Sequence, residues 1–167
     1  MSLIELLIVM IVFTIIIYMS INITGNIISK SKFTGAVNNL VADIAGAKQL
    51  AARENKWVKI TFSNDGKYYI IAKQKAIGNL TNWDIVKTVF PYEDKMFFTP
   101  GVNDVTDFAI NSRGEVKKIT DLNNPTSSPS TITLKISIRK GTGVISQPII
   151  YQRRIIIFPY GGIKVEK

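Results

Sequence analysis

The chain begins with an almost continuous apolar segment. From Leu6 to Met19 every residue is apolar except Thr14, and Ile21 and Ile23 extend the apolar pattern past Ser20 and Asn22. Counted from Leu3 to Ile23 the segment has 21 residues. As a helix it is therefore about 30 Å long, which is one thickness of the hydrocarbon core of a membrane. The sequence predicts a helix that spans a membrane.

Two other interpretations of this segment fit the sequence less well. A secretory signal peptide would carry basic residues at its start and a shorter apolar core, but no Lys or Arg precedes Lys30. A helix buried in a globular core would need other strongly apolar segments around it, and the rest of the sequence offers none. We therefore expect residues 1–28 to form a separate hydrophobic stem.

A second helical pattern follows the stem. Apolar residues recur at steps of three and four, which predicts an amphipathic helix that ends at about Asn55. The positions that define its apolar stripe are Phe33, Val37, Leu40, Val41, Ile44, Ala47, Leu50 and Ala51.

After Asn55 the pattern changes to alternation with residues that favour β-strands. Turn residues at 64–66 and 111–114 predict two hairpins. One long N-terminal helix followed only by strands predicts an α+β fold with an antiparallel sheet, in a globular domain over residues 29–167. The predicted strands are 57–62, 67–71, 83–90, 107–110, 115–119, 131–139, 149–158 and 163–166.

Composition narrows the possible chemistry. The 167 residues include no Cys and no His, which excludes disulfides, thiolate metal sites, cysteine nucleophiles and Ser-His-Asp catalysis. The chain holds 21 Lys and Arg against 12 Asp and Glu, a net charge of +9. Residues 1–29 contain one Asp, Glu, Lys or Arg, which is Glu5. We predict a protein that is not an enzyme and binds no cofactor, with a basic domain attached to an uncharged stem.

The N-terminal sequence carries a family resemblance. Residues 1–9 (MSLIELLIV) resemble the mature N-terminus of type IV pilins and of the pseudopilins of type II secretion, which reads x-[TS]-L-[IV]-E-[LV]-[LM]. Later stretches resemble the domain of the GspH/FimT type. These are the helix end with Asp43, Ala47, Ala51, Ala52 and Arg53, the strand 58–60, the turn 110–114, and residues 154–157 with 162–165.

The resemblance implies a pilin fold and a filament subunit of a pilus or secretion machine. A prepilin peptidase would remove a leader, and Met1 would be the new, methylated N-terminus. The subunit would stay in the cytoplasmic membrane until an assembly ATPase and a platform protein extract it. Stem helices would then polymerise into a surface pilus or a periplasmic pseudopilus, a protein fibril that serves adhesion, motility, secretion or DNA uptake.

Glu5 is the residue on which this assembly would depend. In the family the corresponding carboxylate pairs with the N-terminal amine of a neighbouring subunit. The residue pattern alone allows a second role, because Ser2 and Glu5 have the spacing of a capping box and an acid suits the first turn of a helix. One carboxylate could serve both roles.

Basic residues in the last third form a second candidate site, for nucleic acid or another anionic ligand. They are dispersed along strands, so a solvated sheet face is the simpler interpretation, and a DNA-binding subunit or filament initiator is the alternative function. A membrane-anchored binding module that never polymerises is a third possibility. Asp104, Asp107 and Asp121 match no calcium loop, so no metal site is predicted. The basic candidates are Arg139, Lys140, Arg153, Arg154 and Lys164.

Overall fold

The computed structural model describes residues 2–63, 67–77, 80–90, 96–99, 107–122, 127–139 and 149–166. Its first element is the helix α1, Leu3–Glu54. The helix continues through Thr14, whose hydroxyl donates a hydrogen bond to the carbonyl oxygen of Met10 at 2.8 Å. This polar side chain is thereby satisfied within the helix and does not interrupt it.

The end of α1 has a physical cause in the sequence. Asn55 adopts a positive φ of 52°, a left-handed conformation that Asn tolerates better than most residues. The N–H of Lys56 then donates to the carbonyl oxygen of Ala51 at 3.2 Å, which is the hydrogen bond of a Schellman cap. The predicted helix end at about Asn55 is confirmed.

The chain divides into two compact units, Met1–Gly35 and Ala36–Lys167. In the first unit the described side chains from Leu3 to Tyr18 are exposed. The division predicted between residues 28 and 29 remains a prediction. Over the part of the chain that the structure describes, no helix meets the length and apolarity needed to cross a membrane.

The second unit contains nine described strands in two antiparallel sheets. The first sheet has the order β3-β2-β1-β5-β6, and the second has the order β4-β7-β8-β9. A short 3-10 helix, Ile119–Asp121, follows β6. The strands are β1 (Val58–Phe62), β2 (Tyr69–Gln74), β3 (Trp83–Val89), β4 (Met96–Thr99), β5 (Asp107–Ile110), β6 (Val116–Lys118), β7 (Ile132–Arg139), β8 (Ile149–Ile157) and β9 (Ile163–Glu166).

The α+β class and the antiparallel strands are confirmed, with two differences. The strands form two sheets where one was expected. The short strand β4 was not predicted, because its four residues are neither alternating nor bounded by a hairpin turn. The turn predicted at 64–66 lies outside the described residues.

In the second unit, α1 is joined to the first sheet by burial and by ion pairs. Leu40 and Ile44 on the helix are buried, as are alternate residues of β1. At the margin, the Asp43 carboxylate accepts hydrogen bonds from the Tyr69 hydroxyl at 2.6 Å and from the Lys87 ammonium at 2.8 Å. Because Tyr69 lies on β2 and Lys87 on β3, these bonds fix the helix across two strands.

The two sheets and the helix meet at one place, which we call the glycine junction and define as Lys48, Gly114, Tyr160 and Gly161. Gly114 and Gly161 have φ values of 79° and 73°. The Lys48 ammonium donates to the carbonyl oxygen of Tyr160 at 3.3 Å. A Cβ added at Gly161 would lie 3.0 Å from the carbonyl oxygen of Gly114, so the turns after β5 and after β8 touch here.

Candidate functional site

The N-terminal part of α1 presents an exposed apolar surface. Every large hydrophobic side chain from Leu3 to Tyr18 is between 44% and 84% exposed. Contiguous apolar surface of this kind normally marks a site that contacts protein or lipid. We call this surface, Leu3 to Tyr18, the stem surface.

Glu5 places one carboxylate within the stem surface. The N–H of Ser2 donates to Glu5 Oε2 at 3.4 Å, and the carbonyl oxygen of Ser2 accepts from the N–H groups of Glu5 and Leu6 at 3.0 and 3.3 Å. The side-chain bond matches one half of a capping box but is long, so the cap is weak. Met1, the predicted partner in a neighbouring subunit, lies outside the described residues.

The structure separates two of the basic candidates and brings two together. Arg153 and Arg154 are adjacent in β8, so their side chains leave opposite faces of the sheet. Arg154 shares its face with Lys164, and Glu166 lies between them, 3.8 Å from Arg154 and 2.7 Å from Lys164. The hydrogen bond from Lys164 lowers the pKa of the Glu166 carboxyl. This acid reduces the positive charge of the face.

The structure does not describe the position of the remaining basic side chains. Lys140 and the side chain of Arg139 lie outside what the structure describes. The acidic candidates are similarly divided, because Asp104 and the side chain of Asp121 also lie outside it. Within the described residues no three metal-ligating side chains come together.

Asp107, the described member of the acidic set, has a structural role. Its Oδ1 accepts a hydrogen bond from the N–H of Phe62 at 3.2 Å. Burial raises the pKa of the Asp107 carboxyl, while that hydrogen bond and the nearby Lys59 oppose the shift. The side chain thus caps the end of β1 from the neighbouring strand.

A cleft of about 570 Å³ lies at one end of the first sheet, and no motif in the sequence indicates it. Three connections line it: the one from α1 to β1, the one from β2 to β3, and the turn from β5 to β6. Trp57, Lys56 and Arg113 are among its lining residues. Finding it from sequence would have required the strand order β2-β1-β5, which alternation along the chain does not reveal.

Comparison with known proteins identifies the fold. No family model matches the sequence, and no characterised protein matches it at the sequence level. Among solved structures, the type IV minor pilin FimU of Pseudomonas aeruginosa is similar with a TM-score of 0.57 and 15% identity, over 83% of this chain and 91% of FimU. A second crystal form of FimU gives a TM-score of 0.53 with 16% identity, over 80% and 92% of the two chains.

The minor pseudopilin EpsH from the type 2 secretion system of Vibrio cholerae is similar to the same extent. Its TM-score is 0.54 at 13% identity, over 81% of this chain and 96% of EpsH. The chain therefore has the pilin fold of minor pilins and pseudopilins, and the resemblance seen in residues 1–9 is confirmed at the level of the fold.

Proposed function

We propose that this protein is a non-enzymatic structural subunit of a type IV pilus-like filament or pseudopilus. The observation that carries the proposal is the stem surface, which leaves a long row of apolar side chains exposed on a pilin fold. Burying each such side chain gains on the order of 1 kcal/mol or more. Stems that bundle in a filament core, or lie in lipid before assembly, would recover that free energy.

The subunit would pass through two environments. Before assembly, the predominantly apolar 21-residue segment from Leu3 to Ile23 would anchor it in the cytoplasmic membrane, with Met1 as the processed and methylated end. An assembly ATPase and a platform protein would then move it into the filament. Lipid and the protein core are about equally apolar, so the hydrophobic effect changes little in this transfer and specific contacts must set the register.

Glu5 is the group best placed to supply such a contact. A carboxylate enclosed by apolar helices is costly unless a partner neutralises it. The weak cap at Ser2 does not supply a charge. Pairing with the N-terminal amine of a neighbouring stem would neutralise both groups and fix the axial offset between the two subunits.

Two substitutions at Glu5 separate pairing from capping. Glu5→Gln keeps a side-chain oxygen for the Ser2 N–H but removes the charge, whereas Glu5→Ala removes both. We expect each variant, as the only copy in a cell, to reduce sheared filaments at least tenfold while the membrane-bound subunit persists on immunoblots. Glu166→Gln, which changes a carboxylate on β9, should leave filaments unchanged. Wild-type filament yield from Glu5→Gln would contradict the pairing role.

A DNA-binding subunit for uptake is the second candidate function. It is favoured by the net charge of +9 and by the pair Arg154 and Lys164 on one sheet face. If it is correct, the double variant Arg154→Ala, Lys164→Ala should weaken DNA binding and flatten its dependence on salt. Arg153→Ala, on the opposite face, is the matched control. Equal losses from both variants would exclude a site on this face.

A further inference from the structure

We propose that the cleft at the end of the first sheet binds an acidic sugar residue of a polysaccharide. In this assignment Lys56 and Arg113 bind the sugar carboxylate, and the ring lies against Trp57. The cleft volume of about 570 Å³ is within the usual range for small-ligand sites. The proposal does not depend on filament assembly, because every lining residue belongs to the unit Ala36–Lys167.

The lining chemistry indicates the class of ligand. Two cations and no acid are found among the residues described as lining the cleft. The apolar contribution comes from Trp57, Ile77 and Leu80, and Asn55 adds an amide to the wall. A ligand that satisfies all of these groups carries one negative charge, several hydroxyls and a flat apolar face. An acidic sugar has each of these properties.

The two cations of the cleft, Arg113 and Lys56, are available to bind an anion. The Arg113 side chain is 78% exposed, and its contact with the Glu115 carboxylate is long at 3.5 Å. The Lys56 ammonium donates to the carbonyl oxygen of Lys75 at 3.1 Å, a bond that positions it and uses one of its three donors. A carboxylate in the cleft would form shorter, charge-assisted hydrogen bonds with both groups.

Buried amides fix the backbone on both sides of the cleft. The Asn111 side chain accepts hydrogen bonds from the N–H groups of Arg113 and Glu115 at 3.0 and 2.9 Å. Gln74 is 2% exposed. Its side-chain oxygen accepts a hydrogen bond from the N–H of Trp57 at 3.3 Å, and its backbone N–H donates to the Trp57 carbonyl oxygen at 2.8 Å. The backbone that carries Arg113 and Trp57 is therefore held in place, which lowers the entropy cost of binding.

A nucleic acid fits these observations less well. A phosphate backbone needs a row of cations along an extended path, whereas this cleft places two cations in one compact cavity. Amide and hydroxyl groups in the wall match the hydroxyls of a sugar. We therefore assign the cleft to an acidic saccharide, and the experiment below distinguishes saccharide binding from DNA binding.

Calorimetric titration of the full-length chain in detergent micelles tests the proposal. The probes are trigalacturonate and its fully methyl-esterified form, which keeps the rings but has no charge. We expect the acid to bind at least tenfold more tightly than the ester. Arg113→Gln should weaken binding of the acid about tenfold or more, because a charge-assisted hydrogen bond is lost.

Two further variants complete the design. Trp57→Leu should weaken both probes, since it removes the stacking surface. Arg53→Gln changes an exposed arginine of α1 that does not line the cleft and should leave binding unchanged. Circular dichroism verifies that each variant is folded. If Trp57→Leu does not fold, the comparison of Arg113→Gln with wild type still tests the proposal.

Three results would overturn the assignment. The first is absence of binding at millimolar trigalacturonate, and the second is equal affinity for the acid and its ester. The third is tighter binding of oligodeoxythymidylate that is lost with Arg113→Gln, because this would make the cleft a nucleic-acid site.

Discussion

The glycine junction makes a quantitative prediction about stability. Gly161 has a φ of 73°, and an added Cβ would lie 3.0 Å from the Gly114 carbonyl oxygen, 3.0 Å from Lys48 Nζ and 3.1 Å from Lys48 Cδ. The left-handed backbone costs a residue with a Cβ about 1–2 kcal/mol. The Lys48 side chain can move away, but the Gly114 oxygen belongs to a turn and adds to the cost. Gly161→Ala should destabilise the domain by about 2–3 kcal/mol.

Gly46→Ala is the matched control, because nothing lies within 4 Å of its added Cβ. This residue is in the interior of α1 and exposed, so Ala should stabilise the helix by up to about 1 kcal/mol. Urea unfolding of residues 29–167, followed by circular dichroism, measures both changes. The two substitutions should shift the midpoint in opposite directions. A Gly161→Ala midpoint within error of wild type would contradict this expectation, because the glycine junction would then accept a Cβ at no cost.

Three other predictions concern the same domain. Measured by urea unfolding, Tyr69→Phe should lower the free energy of unfolding by about 1 kcal/mol and Asp43→Ala by about 2 kcal/mol. The loss is larger for Asp43→Ala because it removes the acceptor of the largely buried Tyr69 hydroxyl. A larger loss from Tyr69→Phe than from Asp43→Ala would contradict this. Burial raises the pKa of Asp107, so ionisation of Asp107 opposes folding as pH rises. Asp107→Asn should therefore gain stability over wild type between pH 4 and 7, and a gain largest at low pH would contradict the sign. Residues 29–167 should be a soluble, cooperatively folded monomer by sedimentation, and Leu40→Asp should unfold it; aggregation of the parent fragment would argue that the stem belongs to the core.

The pattern of apolar positions was enough to predict most of the fold. The stripe that includes Leu40 and Ile44 is buried as expected, because helical periodicity directly reflects which face is covered. The hairpin at 111–114 was readable because Gly114 supplies the positive φ that its turn requires. Helical periodicity and turn residues depend only on neighbouring positions in the chain, so the sequence alone is enough to recognise them.

The features that sequence reasoning missed depend on long-range pairing. The pairing of β1 with β5 joins residues about fifty positions apart, and it is this pairing that places Arg113 beside Trp57 at the cleft. The division into two sheets has the same origin. The opposite orientation of Arg153 and Arg154 was available from sequence, since neighbours in a strand always alternate, and grouping the two cations ignored that alternation.

In the proposed filament, α1 stems form the core and Glu5 sets the register between neighbouring subunits. Cryo-electron microscopy of filaments sheared from cells that produce this chain tests it most directly. We expect a core of bundled helices in which the residues from Leu3 to Tyr18 are buried, with each Glu5 carboxylate within hydrogen-bond distance of a neighbouring Met1 amine. Filaments in which Glu5 faces solvent, or in which the stems lie outside the core, would contradict it.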